Sequence, residues 1–370
     1  MDEDQTRIVT QARGRDERLD ERVHCLELVD GHGLVRRHLV GSAGAVVGRA
    51  APADIILADT EVSRAHCRVA LEGEGLVVSD LNSTNGTFVD GTRLTGAAFL
   101  PVGAVLRVGR VSLKHEWRTC LEVVQTDQLD RDLTRASAYV QALLPPPLVQ
   151  GPIRADWLYQ PSAKLGGDAF GYGPLTDDLF LAYLIDVSGH GAGAAMHSVT
   201  VMNLLRQHAL PSTDMADPAQ VLASLNAMFQ MEQHAEMYFT MWYGVYDRRS
   251  RRLSYASAGH HPAFLVPPAG GEFTPLRTRN GLVGAVPGKV FVADTAQVPA
   301  GASLFLFSDG VFEIVTNDGQ EWGLNDFLPL ILKPAVDGLT TCQTIFRDVT
   351  KAARPGGFDD DFSLVVLTFD

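Results

Sequence analysis

The 370-residue sequence lacks several features that mark particular classes of protein. It has only four cysteines, and none is close enough to another for a zinc knuckle or a redox motif: Cys25, Cys67, Cys120 and Cys342. No apolar run approaches the roughly 20 residues of a membrane-spanning helix, and the first residues contain no apolar stretch typical of a secretory signal. We therefore expect a cytoplasmic protein that does not enter a membrane.

Basic residues are also few, because 31 Lys and Arg stand against 44 Asp and Glu and give a net charge of −13. This balance argues against nonspecific binding to nucleic acid or to an anionic membrane. The two local clusters of arginine are interpreted as solvated surface: Arg36, Arg37, Arg248, Arg249, Arg251 and Arg252. The length predicts two or three domains.

The composition of the N-terminal part changes at about residue 23, from charged residues to short apolar segments. Residues 1–22 alternate charges of both signs and are interpreted as a mobile tail. Residues 23–124 consist of short β-branched segments broken by Gly, Asn and Asp, a pattern typical of an all-β sandwich.

Residues 125–150 form an amphipathic helical linker in this interpretation, with the helix itself over 126–144. Apolar residues recur on one face of it, and three prolines end it: Leu129, Leu133, Ala136, Val140, Leu143, Leu144 and then Pro145, Pro146 and Pro147. Two interpretations stay open. The helix lies on its own domain, or it pairs with its copy in another protomer to give a homodimer.

Residues 151–370 mix strand-like runs with helical stretches, predicted at 197–210, 218–236 and 339–353. Hairpins and helices mixed over this length predict an α+β layered domain with sheets inside and helices outside. The chain should thus combine an N-terminal sandwich, a linker and a C-terminal layered domain.

Three loops of the N-terminal domain concentrate polar residues, at 48–49, 63–66 and 82–87. Arginine offers a fork of donors to phosphate, and Ser and Thr hydroxyls add hydrogen bonds. The order GR, SRxH and NGT resembles the forkhead-associated (FHA) domain. The resemblance implies phosphothreonine-peptide binding, with the phosphate and the peptide backbone contacted by Arg49, Ser63, Arg64, Thr84 and Asn85, while His66 and Gly86 shape the loops. Thr6, followed three residues later by Val9, is a hypothetical internal ligand.

Four acidic turns in the C-terminal domain each flank an apolar strand and supply Asp168, Asp186, Asp309 and Asp360. Oxygen ligands without paired His or Cys suit Mg²⁺ or Mn²⁺ better than zinc. Four clustered carboxylates repel one another unless cations neutralise them, so either metal binds or the carboxylates lie far apart.

The motif order GGD, DVSGHG, SAGHHPAFLV, FSDG and FDDD resembles the SpoIIE-like branch of the metal-dependent (PPM) protein serine/threonine phosphatases. This resemblance implies two metal ions bridged by Asp186, with the Val187 carbonyl, Asp168, Asp309 and Asp360 as further ligands. Asp361 is the fallback ligand if the DDD register shifts by one residue.

The sequence departs from this family's pattern at two places. Gly171 stands where many members have a second acid after GGD, and Val187 stands where many have glycine. Five further residues are candidates for other roles, without a firm assignment. His190, His260 and His261 are candidate general acids, and Arg154 and Lys164 are candidate phosphate-binding cations.

The resemblances together imply a bacterial signalling phosphatase that hydrolyses phosphoserine or phosphothreonine through a water activated by two Mn²⁺ or Mg²⁺ ions. Its implied partners are a phosphothreonine protein at the FHA domain and a phosphoprotein substrate. That substrate would be an anti-sigma-factor antagonist or a target of a Ser/Thr kinase. The alternative is a catalytically silent phosphopeptide-binding scaffold. A metal-dependent phosphodiesterase is disfavoured because histidine-rich metal motifs are missing.

Overall fold

The computed structural model describes residues 21–29, 35–73, 75–268 and 271–370. The chain divides into two compact units, Met1–Leu133 and Thr134–Asp370. The hypothetical ligand Thr6, with Val9, lies outside the described residues, as does nearly all of the predicted tail. No described helix is long and apolar enough to cross a membrane.

The first unit is built on two β-sheets. Its strands are β1 (Arg22–Val29), β2 (Val35–Val40), β3 (Ala45–Gly48), β4 (Ile55–Ile56), β5 (Cys67–Glu72), β6 (Gly75–Asp80), β7 (Thr87–Val89), β8 (Thr92–Arg93), β9 (Ala98–Leu100), β10 (Val105–Val108) and β11 (Val111–Thr119). One sheet has the order β2-β1-β11-β10-β7-β8 and the other β4-β3-β5-β6-β9. Fully buried side chains from both sheets, among them Val69 and Leu113, form one core. The predicted all-β sandwich is confirmed.

Helix α1 (Cys120–Leu143) follows β11 without a loop, six residues before the predicted start. The early start of the helix is explained by a capping box, which the sequence contains as Thr-x-x-Glu. Thr119 N donates to Glu122 Oε2 at 2.8 Å, and Glu122 N donates to Thr119 Oγ1 at 3.2 Å. The last strand of the sandwich therefore ends at Thr119 and not near Val124. Val123 is the one fully buried residue of this helix, and Leu129 on the predicted apolar face is 57% exposed.

The second unit contains two five-stranded sheets and four helices. The strands are β12 (Ile153–Gln160), β13 (Ala169–Pro174), β14 (Leu179–Val187), β15 (Phe239–Asp247), β16 (Arg252–Ala258), β17 (Ala263–Val266), β18 (Thr274–Leu276), β19 (Asp294–Gln297), β20 (Ala302–Phe307) and β21 (Phe362–Phe369). The helices are α2 (Ala192–Arg206), α3 (Pro218–Met228), α4 (Leu324–Ile331) and α5 (Thr341–Ala352). The sheet orders are β13-β14-β15-β16-β19 and β12-β21-β20-β17-β18.

Successive side chains of a strand point to opposite faces of its sheet, and this explains the layers of the second unit. In β20, Leu304 and Leu306 enter a core shared with the other sheet and with α2 and α3, whereas Phe305 and Phe307 pack with α4 and α5. A strand buried on both faces must be apolar throughout, which is why this segment shows no polar alternation. Two sheets lie inside and helices lie outside, so the predicted α+β layered architecture is confirmed.

The predicted helix boundaries differ from the observed ones. Helix α2 begins five residues earlier than expected, directly after the Asp186 turn, and ends before His208, which adopts a left-handed φ of 51°. Helix α3 is eight residues shorter than predicted, while α5 nearly matches because Thr340 caps it. Helix α4 was not predicted, since it has only eight residues and contains Pro329.

Two arginines assigned to solvated surface are structural instead. The side chain of Arg37 is 8% exposed and pairs with Glu27 at 2.8 Å. Arg251 donates to the backbone carbonyls of Val298, Phe369 and Asp370 and so holds the end of β21.

Candidate functional site

Asp186 lies at the end of β14, a buried strand between β13 and β15 in its sheet. It pairs with Thr240 on β15, and Thr240 Oγ1 donates to Asp186 Oδ2 at 3.4 Å. The turn that follows needs glycine, because Gly189 and Gly191 have φ values of 86° and 88°. Ser188 fixes the turn through two hydrogen bonds with the backbone of Tyr238, of 3.0 and 3.2 Å.

The GGD loop packs directly against this turn. A methyl group at Gly167 would lie 2.8 Å from the carbonyl oxygen of Val187 and 3.0 Å from that of Gly189. Any side chain at Gly167 would therefore push the loop away from the Asp186 turn. Gly310, in the third acidic turn, is packed just as closely against the backbone of Asp361.

A buried polar network joins three of the four acidic turns. Asp168 and Asp361 are each 3% exposed. Ser363 Oγ donates to Asp168 Oδ2 at 2.6 Å, and Ser308 Oγ donates to the carbonyl oxygen of Asp361 at 2.8 Å. The Asp361 carboxylate accepts from Ser162 N at 2.8 Å, from Ser162 Oγ at 2.9 Å and from Asp168 N at 3.3 Å.

Mutual repulsion shows that the predicted acids come together. Burial, and then the charges of Asp309 and Asp360, raise the pKa of Asp186 to about 7. Burial followed by Asp360 raises the pKa of Asp309 to about 6, and burial also raises the pKa of Asp360. Burial, then Asp186 and Asp361, raise the pKa of Asp168 well above its usual range. The alternative of widely separated carboxylates is therefore wrong.

These residues fit a hard divalent cation. Their donors are carboxylate and carbonyl oxygens, and a cation would relieve the repulsion that raises these pKa values. Within the described ranges no group of three or more Asp, Glu, His or Cys side chains is arranged so that it could hold a metal ion by itself. An ion here would take part of its shell from water, as Mg²⁺ commonly does.

Asp361 and Gly171 are explained by packing. Asp361 is buried and its carboxylate holds the GGD loop, so it is not a solvated acid of the loop. Gly171 lies against the ring of Tyr183, and a side chain at that position would overlap the ring. An acid three residues after GGD therefore has no room in this chain.

The histidines divide into two groups. Burial lowers the pKa of His260 to about 4 and that of His261 well below its usual value. Both Nδ1 atoms face backbone carbonyls, at 2.9 and 3.1 Å, so each ring is neutral with its proton on Nδ1. A neutral buried ring has no Nε2 proton to donate, which excludes them as general acids at neutral pH. His190 is exposed and lies near enough to Asp360 to offset part of the rise in the pKa of that carboxyl, which places it beside the acids.

The two candidate phosphate-binding cations, Arg154 and Lys164, lie in different places. Arg154 Nη2 pairs with Asp370 Oδ1 at 2.9 Å and so fastens the C-terminal strand, which leaves it without a phosphate-binding role. Lys164 lies in the GGD loop, two residues before Gly166, and is half-buried.

The three polar loops of the first unit also meet. His66 is fully buried; Ser63 N donates to its Nδ1 at 3.1 Å, and its Nε2 donates to the Gly86 carbonyl at 3.1 Å. The predicted loop-shaping role of His66 is confirmed. Thr84 N donates to Ser63 Oγ at 3.1 Å, and Arg49 N donates to the Ser63 carbonyl at 2.9 Å.

The proposed phosphate and peptide contacts lie on the surface. Arg49, Arg64, Thr84 and Asn85 are exposed and Ser63 is half-buried. Asn85 Nδ2 donates to the Glu61 carbonyl at 2.8 Å, which orients its amide.

Sequence reasoning missed Asp80, which organises the loop at 82–87. Its carboxylate accepts from Ser83 N at 3.0 Å and from the hydroxyls of Ser83 and Thr87, both at 2.6 Å. The available signal was an acid three residues before a serine in a glycine-containing turn.

Comparisons with known proteins identify the families that the two units resemble. The FHA domain model matches residues 45–109. Phosphoserine phosphatase RsbU of Bacillus subtilis (strain 168) is 29% identical over 209 residues, covering 56% of this chain and 60% of RsbU. Phosphoserine phosphatase RsbP of the same organism is 26% identical over 187 residues, covering 50% of this chain and 45% of RsbP. The chain thus spans about half the length of the curated relatives it matches.

A solved structure shows the same fold. The SiaA-PP2C domain of Pseudomonas aeruginosa superposes with a TM-score of 0.56 at 19% identity, covering 66% of this chain and 99% of that domain. The model described as Stage II sporulation protein E (SpoIIE) matches residues 176–370, more than half of the chain. The chain therefore belongs to the SpoIIE family and carries an FHA domain before its PP2C-like fold.

Proposed function

We propose that this protein is a metal-dependent protein serine/threonine phosphatase. The observation that carries the proposal is the gathering of Asp168, Asp186, Asp309 and Asp360 at strand ends, where burial and then the neighbouring carboxylates raise their pKa values. The relatives named phosphoserine phosphatases support it.

Two Mn²⁺ or Mg²⁺ ions would be held by Asp186, the Val187 carbonyl, Asp168, Asp309 and Asp360. Such ions lower the pKa of a bound water and neutralise phosphoryl oxygens. The chain supplies the orientation of the ligands, since Ser363 fixes Asp168 and Thr240 fixes Asp186.

Two further residues complete the site, one as a proton donor and the other by holding the GGD loop. The serine or threonine oxygen that leaves must take up a proton, and His190 is the exposed group beside the acids that can deliver it. The buried Asp361 keeps the GGD loop in place and does not itself face the substrate.

The FHA domain would bind a phosphothreonine protein through Arg49, Ser63, Arg64, Thr84 and Asn85. This binding recruits the phosphatase to its partner or regulates it. We propose that the substrate is a cytoplasmic phosphoprotein, either an anti-sigma-factor antagonist or a target of a Ser/Thr kinase. We also propose that the helical linker at 125–150 pairs with its copy in a second protomer to form a homodimer.

Hydrolysis of p-nitrophenyl phosphate and of a phosphoserine peptide, with and without Mn²⁺, tests the proposal. We expect metal-dependent turnover that Asp186→Asn and Asp309→Asn each abolish. Asp359→Asn is the matched control, because Asp359 adjoins Asp360 but is 61% exposed and pairs with Arg354. Wild-type protein without turnover, or with turnover that survives both substitutions, would favour the silent scaffold instead.

A further inference from the structure

An ordered loop at residues 280–292, here called the Asn280 loop, is pinned by two asparagines. Asn280 Nδ2 donates to the Val292 carbonyl and Val292 N donates to Asn280 Oδ1, both at 2.9 Å. Asn226, 1% exposed on α3, donates from Nδ2 to the Val286 carbonyl and accepts from Gly284 N, also at 2.9 Å. These four bonds give the loop one shape.

The pinned loop presents apolar side chains to solvent. Val286 is 54% exposed, Val290 78% and Val292 52%, whereas Phe291, between Val290 and Val292, is buried and anchors the loop. Because its backbone is held on both sides, the loop cannot fold inward to cover these valines. Apolar side chains held in solvent on a fixed loop are typical of a binding surface.

The same region is positively charged in an acidic chain. Residues 277–293 contain Arg277, Arg279 and Lys289 and no Asp or Glu, although the whole chain has a net charge of −13. All three cations are exposed, and within the described residues none forms a salt bridge. Cations without an internal partner beside apolar residues complement an acidic and apolar surface.

The loop starts next to the metal-binding turn. Val283 exchanges backbone hydrogen bonds of 3.0 and 3.2 Å with Phe239, and Phe239 is the strand partner of Val187. Two neighbouring strand spacings place Val283 roughly 10 Å from Val187. The start of the Asn280 loop is therefore within reach of a protein whose phosphorylated side chain enters the site at Asp186.

We propose that the Asn280 loop is the docking surface for the phosphoprotein substrate, and that this substrate is acidic and apolar next to its phosphorylated residue. The inference rests on the proposed phosphatase function and adds the chemistry of its substrate. The metal ions would attract the phosphoryl group itself, and the loop would attract the residues beside it.

The test uses the full chain and two phosphoserine peptides of equal length. One peptide carries Glu and Leu beside the phosphoserine, and the other carries Lys and Ser at the same places. Phosphoserine is used so that the FHA domain, expected to read phosphothreonine, does not contribute. We expect wild-type protein to favour the acidic-apolar peptide by about tenfold in kcat/KM.

The double variant Lys289→Glu/Val290→Ser should lose this preference. The matched control Arg249→Glu/Val149→Ser changes side chains that are each 79% exposed in the same unit, and should keep it. Equal use of both peptides by wild-type protein, or a preference that survives in the double variant, would overturn the proposal.

Binding separates this inference from the phosphatase function itself. Fluorescence anisotropy with the labelled peptides, in an Asp186→Asn background, should show the same preference and its loss with Lys289→Glu/Val290→Ser. If wild-type protein fails to hydrolyse p-nitrophenyl phosphate while this binding preference is present, the phosphatase function is wrong and the docking surface stands. If hydrolysis occurs and the variants bind both peptides as the parent does, only the docking surface is wrong.

Discussion

Substituting Gly167 by alanine tests how closely the GGD loop must approach the Asp186 turn. The added methyl group would lie 2.8 Å from the Val187 carbonyl oxygen, 3.0 Å from that of Gly189 and 3.3 Å from Ala194 Cβ. Two of these neighbours are backbone atoms and cannot rotate away. The loop and the turn must therefore separate by about half an ångström to restore ordinary van der Waals contact.

This separation has two measurable consequences. Forcing a methylene-sized group into a packed site costs about 1–3 kcal/mol in the free energy of unfolding. Metal ligands must hold their distances within about 0.2 Å, so moving the Val187 carbonyl by more than that should weaken Mn²⁺ binding by about 10- to 100-fold.

The assay compares Gly167→Ala with Gly173→Ala. Gly173 lies in β13 of the same unit, and a methyl group there would meet nothing within 4 Å. Urea unfolding in EDTA gives the stability difference, and isothermal titration with Mn²⁺ gives the difference in affinity. If the two variants unfold at the same urea concentration and bind Mn²⁺ equally, the close contact between loop and turn does not matter and the reasoning is refuted.

Other expected outcomes concern pH, a buried ion pair, the FHA site and the linker. Because the pKa of His260 is about 4 in the folded protein and about 6.5 unfolded, the unfolded state takes up the extra proton, and His260 by itself should lower stability by about 2 kcal/mol between pH 7 and pH 5; the raised pKa values of Asp186 and Asp309 act in the opposite direction, so urea unfolding of wild type is compared with His260→Phe at both pH values, and the difference between the two proteins should change by that amount. Arg37→Met should cost about 3 kcal/mol, because it leaves Glu27 buried without its closest partner, whereas the same change at the exposed Arg110 should leave the midpoint of thermal unfolding unchanged. Ser63→Ala should weaken binding of a phosphothreonine peptide about tenfold in calorimetry without changing p-nitrophenyl phosphate hydrolysis. Light scattering of Leu129→Glu should report a monomer where the wild type is a dimer, and an unchanged mass would refute pairing through this helix face.

Much of the fold and of the site could be predicted because the acids stand in regular places. Each of Asp168, Asp186, Asp309 and Asp360 adjoins an apolar strand that is buried in the layered unit. Carboxylates at the ends of core strands are placed at the rim of the sheets, where they can meet. The sequence also contains the signal for the start of α1, since Thr119 and Glu122 form a capping box.

The remainder depends on contacts between distant parts of the chain. Gly171 was recognised as a missing acid, but only packing shows that the ring of Tyr183 occupies its place. Asp361 looked like a duplicate of Asp360 in the DDD run. Nothing in that run reveals that its carboxylate turns inward to Ser162, 199 residues earlier in the chain. Such roles need the register between β20 and β21 and the GGD loop beside them.

The acids of the candidate centre fall into two kinds, and the difference explains how a repelling set can be folded at all. Asp361 receives three hydrogen bonds from within the protein, and Asp168 receives a short one from Ser363, so these buried carboxylates have partners of their own. Asp360 is exposed and Asp309 half-buried, so water can solvate them until a cation binds. Asp186 lies between the two kinds, with one long hydrogen bond at 3.4 Å and a pKa raised to about 7. Asp186 therefore has fewer hydrogen-bond partners within the protein than Asp361 while it is close to the other acids, which is the property expected of a carboxylate that binds a cation.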